Sequence, residues 1–149
     1  MALKGLITKL SSRLAESLSL KSARETWLPS DGPFPKLMLM EDEAIQAMPE
    51  HGGLLAFWHG GVRPQWVFVG HTEDLRTTVH QAQSHPDLML YDRNEGLWVS
   101  WAICAPGDRP GAVIYLNHQL EPALGPQAIA GSGAISDDVE PKPFPLPVD

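Results

Sequence analysis

Cys104 is the only cysteine in the chain. One thiol cannot close an internal disulfide, and no CxxC pair or zinc-finger spacing accompanies it, so a reducing cytoplasm of the bacterial type is the expected compartment. Long hydrophobic runs are also missing. At the N-terminus Lys9, Arg13 and Glu16 interrupt the Leu and Ile residues, which excludes the apolar segment of a signal peptide or a membrane span there. Positive charge is scarce, 11 Lys and Arg against 18 Asp and Glu, for a net charge of -7. Much of it sits at the front, where Lys4, Lys9, Arg13, Lys21 and Arg24 face Glu16 and Glu25; this surplus of three leaves the remaining chain at -10. An acidic body repels a polyphosphate backbone, so nucleic acid is not the expected partner. No internal repeat of solenoid length is present either.

What is there suits one domain, since 149 residues can bury a hydrophobic core without covalent staples. Leu3, Ile7, Leu10, Leu14 and Leu18 follow steps of three and four, which predicts an amphipathic helix over residues 1–26. Its apolar face suits packing on the domain or a second copy, docking on a partner protein, or lying on an anionic membrane surface. Pro29, Asp31, Gly32, Pro33 and Pro35 then predict a linker over residues 27–36.

Within residues 37–125, Glu41 to Met48 reads as a short helix with an acidic first turn. Gly53 to His59 and Gln65 to Gly70 read as two strands of a hairpin. Thr72 is placed to cap a helix starting at Glu73 and stopped by Pro86, Gly96 to Cys104 suits a third strand, and Pro106 to Pro110 a turn. Gly111 to Leu120 completes the set as a second core helix. Residues 126–149 combine Gly131, Ser132 and Gly133 with acids and four spaced prolines, a composition that predicts a disordered acidic, Pro-rich tail. The expected fold is α/β: one small three-stranded sheet, mixed or antiparallel, flanked by helices.

The run Trp66-Val67-Phe68-Val69-Gly70-His71-Thr72-Glu73-Asp74-Leu75-Arg76 resembles the second motif of the GIY-YIG nuclease family. Phe57, closing Leu55-Ala56-Phe57, stands eleven positions before Phe68, as the first motif does in that family, and Tyr115 to Leu124 is similar to its last helix and closing Pro-x-aliphatic signature. The resemblance covers about half the chain. It implies a fold of hairpin, helix, strand and helix, and a catalytic set of two motif tyrosines, an arginine and a metal-binding glutamate. Those slots fall on Phe57, Phe68, Thr78 and Val113. Phenylalanine has no hydroxyl for proton transfer, threonine no permanent charge for a phosphoryl transition state, and valine no oxygen for Mg²⁺. Arg76 would turn about 200° away from Thr78 on a helix and does not replace the arginine.

His51, His59, His71, His80 and His85 lie close in sequence, but none shows helical His-x-x-x-His spacing. No metal or cofactor is implied, and surface or capping roles are expected, with His71 lining the former active-site groove. Trp58, Trp66, Trp98 and Trp101 all fall on strands, and Trp98 and Trp101 face opposite ways by alternation. A sheet with tryptophan on both faces predicts that the helices cover one face and the N-terminal helix or another subunit the other. The sequence therefore points to a non-catalytic adaptor or structural subunit whose Trp58, His59, Trp66, His71, Trp98 and Trp101 form a groove or interface. The alternative is a divergent metal-dependent endonuclease acting on DNA.

Overall fold

A computed structural model describes residues 26–31, 33–60, 65–93 and 95–147. The predicted helix over residues 1–26 lies outside them. The order along the chain is β1 (Trp27–Leu28), a 3-10 turn (Leu37–Leu39), α1 (Asp42–Gln46), β2 (Gly53–His59), β3 (Gln65–Thr72), α2 (Leu75–Gln83), α3 (Pro86–Asp92), β4 (Trp98–Ala102) and α4 (Arg109–Leu120). The strands form one antiparallel sheet in the order β1-β4-β2-β3. Among the described residues four strands, not three, make the sheet. Trp27 and Leu28, read from sequence as the start of a linker, pair with Ala102 and Trp101.

Central β2 is buried from Gly53 to Trp58, and its near-continuous apolar run follows from having both faces covered. On one face Leu55, Phe57, Phe68, Val99 and Trp101 pack under Leu37, Ile45, Leu75, Val79 and Leu88 from the turn, α1, α2 and α3. On the other, Leu54, Ala56, Trp58, Val69 and Ala102 meet Trp27 and Ala112, Val113 and Leu116 of α4. The ladder is interrupted once: Phe57 opposes Phe68 but Trp58 opposes Trp66, leaving Val67 as the extra residue of a bulge. Val67 and Phe68 consequently both serve the first core.

Residues 126–147 are not a disordered tail. Ala123 and Leu124 donate to the carbonyls of Trp66 and Val67 at 3.1 and 2.9 Å, Ser132 bridges to Thr72, and Gly133 donates to His71 O at 2.6 Å. The chain thus covers β3, which would otherwise leave an unpaired sheet edge. It then crosses α4, where Lys142 N–H donates to Gly111 O at 2.9 Å, and lays Ile135, Phe144 and Leu146 on the second core. Trp27 Nε1–H donates to Pro145 O at 2.7 Å, and its ring meets Phe144 edge-on at 5.9 Å. Apolar residues set between the prolines supply what composition alone concealed: side chains for a face that needs covering. Among the described residues, no helix is long and apolar enough to cross a membrane.

Candidate functional site

The four positions matched to the nuclease set do not converge. Phe57 and Phe68 face one another across β2 and β3, stacked with centroids 5.5 Å apart and both 0% exposed. Thr78, on α2, is buried and shares a 2.7 Å hydrogen bond with the hydroxyl of Thr72. Val113 belongs to α4 and the core on the opposite face of the sheet, so the sheet itself separates it from both phenylalanines. Arg76 points elsewhere: its Nε donates to Met48 O at 2.8 Å and its Nη1 meets Glu50 at 3.2 Å, tying α2 to the segment after α1.

The proposed aromatic groove is also divided. Trp58 lies against Phe34 at 5.0 Å and Trp66 at 5.1 Å on the second face, where Lys36 Nζ stands 5.1 Å over the Trp98 ring. Trp101 is in the first core, and its Nε1 is the one buried side-chain nitrogen or oxygen without a partner among the described residues. His59 stacks on Tyr91 at 6.4 Å and bonds Gln65 at 3.2 Å, at the other end of the strands from His71. The second face is covered by α4 and the chain's own C-terminal segment, so its tryptophans do not require a partner subunit.

What the fold does assemble is a cleft of about 520 Å³ at the His71 end of β3. Its walls are His71 and Thr72, then Glu73, Asp74, Thr77 and Thr78 around the start of α2, Pro106 and Arg109, and residues 131–134. Asp74 caps α2, accepting from Thr77 N–H at 3.1 Å and from its hydroxyl at 2.8 Å, which holds its carboxyl below the usual carboxylate range. The loop can approach because of its glycines. Gly131 has φ 94°, and a Cβ there would come 2.8 Å from Thr78 Oγ1, while one at Gly133 would overlap the His71 ring.

His71 Nε2 lies 3.2 Å from Ala134 O, and since a carbonyl only accepts, that nitrogen carries the proton. Burial lowers the histidine's pKa; the Ala134 carbonyl opposes this, Arg109 adds to it, and Glu73 opposes it. Arg109 is only 9% exposed. Its Nε donates to Cys104 O at 2.8 Å. The sequence marks His71 as lining a groove but assigns Arg109 no role. One signal was legible: a cation in the first turn of a helix opposes the helix dipole and calls for another reason to be there.

Cys104, beside this arginine, is buried, and its thiol pKa is raised by burial and by Asp108. His85 caps α3 by accepting from Asp87 N–H at 3.2 Å. Among the described residues, no three His, Cys, Asp or Glu side chains group as metal ligands. No family model, curated protein or solved structure matches the chain.

Proposed function

We propose that this protein is a non-catalytic adaptor or structural subunit built on a degenerate GIY-YIG-like domain, with its N-terminal segment recruiting it to a protein partner or larger assembly. From Gly53 the chain runs hairpin, α2, strand and α4, as that resemblance implies, with α3 as an additional helix before the strand, and Phe57 opposes Phe68 in register. The carrying observation is the stacked, fully buried Phe57–Phe68 pair. A site for hydrolysis needs a hydroxyl and a water at that place, and two rings sealed from solvent offer neither.

Two measurements test this reading. Purified full-length chain is incubated with nicked, branched and single-stranded DNA plus Mg²⁺ or Mn²⁺, and no cleavage is expected; cleavage that disappears in His71→Ala would sink the adaptor in favour of a divergent nuclease. Pull-downs with and without residues 1–25 then test recruitment. Partners should be retained only by the longer chain, and the double substitution Ile7→Asp, Leu14→Asp should lose them by placing charge in the apolar stripe. Equal capture by both chains would remove the N-terminal segment from the proposal. Liposome flotation that depends on anionic lipid and falls with salt would assign recruitment to a membrane surface instead.

A further inference from the structure

Arg109 poses a problem of charge that the fold alone does not solve. A guanidinium this deeply covered normally meets a carboxylate, because an unpaired buried charge is strongly destabilising. Among the described residues no carboxylate lies within ion-pair distance of it, and its one hydrogen bond uses Nε. Its terminal nitrogens take no protein acceptor there. Yet neither is sealed away as a buried unpartnered atom, and the residue lines the cleft. The tip therefore faces the open space beside His71. Gly52 makes this path available, since a Cβ there would come 2.7 Å from Arg109 Nη1.

We propose that this cleft binds a carboxylate, gripped through the free fork of Arg109 beside His71 and residues 131–134. A planar guanidinium whose two terminal nitrogens are unused matches a carboxylate in two parallel hydrogen bonds. The other charges decide against phosphate. Glu73 and Asp74 line the same cleft, so one fixed cation faces two fixed anions. A monoanion places its single charge on Arg109, whereas a dianion or a nucleic-acid backbone carries further charge that Arg109 does not match and is repelled more strongly by the rim and by a chain of net charge -7. The hydroxyls of Thr72, Thr77 and Ser132 are all used in internal hydrogen bonds, which leaves recognition to Arg109, His71 and shape. A volume near 520 Å³ accepts a small molecule or the last residues of a peptide.

The site stands on this geometry and not on the degenerate-nuclease reading. Its test uses NMR of the labelled full-length chain, titrated in separate arms with benzoate, benzamide, an acetylated tripeptide acid and the corresponding amide. At least one acid should saturate shifts at residues 131–134 and at Arg109 Nε in the millimolar range, with its amide at least tenfold weaker. Benzoate binding identifies free small acids as sufficient; binding of the peptide acid alone identifies a chain terminus. Arg109→Gln should weaken the acid at least tenfold. Should that variant fail to fold, Ala134→Trp decides, since it fills the cleft from an exposed loop position and should abolish binding. The proposal is overturned by acid and amide binding alike, by unchanged affinity in the arginine variant, by no saturable shift up to about 20 mM, or by inorganic phosphate binding more tightly than either acid.

Discussion

Phe57 and Phe68 show how one oxygen atom can decide between two readings of a fold. If the hydrophobic stack has replaced a pair of tyrosines, restoring either hydroxyl puts an O–H into a fully buried apolar contact. Phe57→Tyr and Phe68→Tyr should each cost about 1–3 kcal/mol in chemical denaturation and yield no nuclease activity. Tyrosine accepted without cost would mean that the hydroxyl finds a partner at this place in the core. His71 makes a second residue-scale case. Its folded-state pKa lies below histidine's ordinary 6.5 because burial outweighs the Ala134 carbonyl, with Arg109 pushing the same way and Glu73 opposing. The unfolded chain therefore takes up a proton first as pH falls below 6.5, and stability declines until the folded histidine also titrates. His71→Gln should flatten that part of the stability profile relative to the parent chain, and parallel profiles would show that the imidazole is solvated in the folded state as in the unfolded one.

At the scale of elements, the start of α2 illustrates how capping resolves between neighbouring candidates. The sequence points to Thr72 as the cap, but it stays in β3 and bonds Thr78, while Asp74 takes the cap two residues later. Asp74→Ala should cost about 1 kcal/mol at neutral pH. Because the Asp74 carboxyl is held below its ordinary range, its contribution is present above the unfolded pKa and fades as acid protonates the folded group. A loss that is the same at pH 2 as at pH 7 would assign the effect to helix propensity instead. Strong local signals elsewhere are legible: β2 runs from Gly53 to His59 as its apolar residues and flanking glycines require, and α4 occupies the expected segment, starting at Arg109 instead of Gly111. Pro86 misled because it both stops one helix and opens the next, a role that the His85 cap makes explicit. The cleft was half legible. His71 follows a motif glycine, but its meeting with Arg109 and residues 131–134 is made by tertiary packing that no local periodicity encodes.

For the whole molecule, the decisive contact joins residues 118 positions apart, Trp27 Nε1 and Pro145 O. A Pro-rich linker and a Pro-rich tail look dispensable when each is read alone. Together they complete the second core: Trp27 is 1% exposed, and the half-buried Phe144 and Leu146 pack on the same face. Fully burying a large apolar side chain contributes about 1.5–3 kcal/mol, an upper value when the unfolded chain is itself partly collapsed. One fully buried and two half-buried groups therefore represent roughly 3–6 kcal/mol, a large share of the whole stability of an ordinary domain at about 5–15 kcal/mol. A chain trimmed to residues 37–125 should lose its cooperative thermal transition and its dispersed amide spectrum, whereas residues 26–147 should keep both. Phe144→Ala in the intact chain should reproduce part of the loss, about 2 kcal/mol. If the short chain instead melts as sharply and as high as the longer one, the terminal segments are ornaments on a self-sufficient sheet, and the walls they give the His71 and Arg109 cleft would have to be judged equally dispensable.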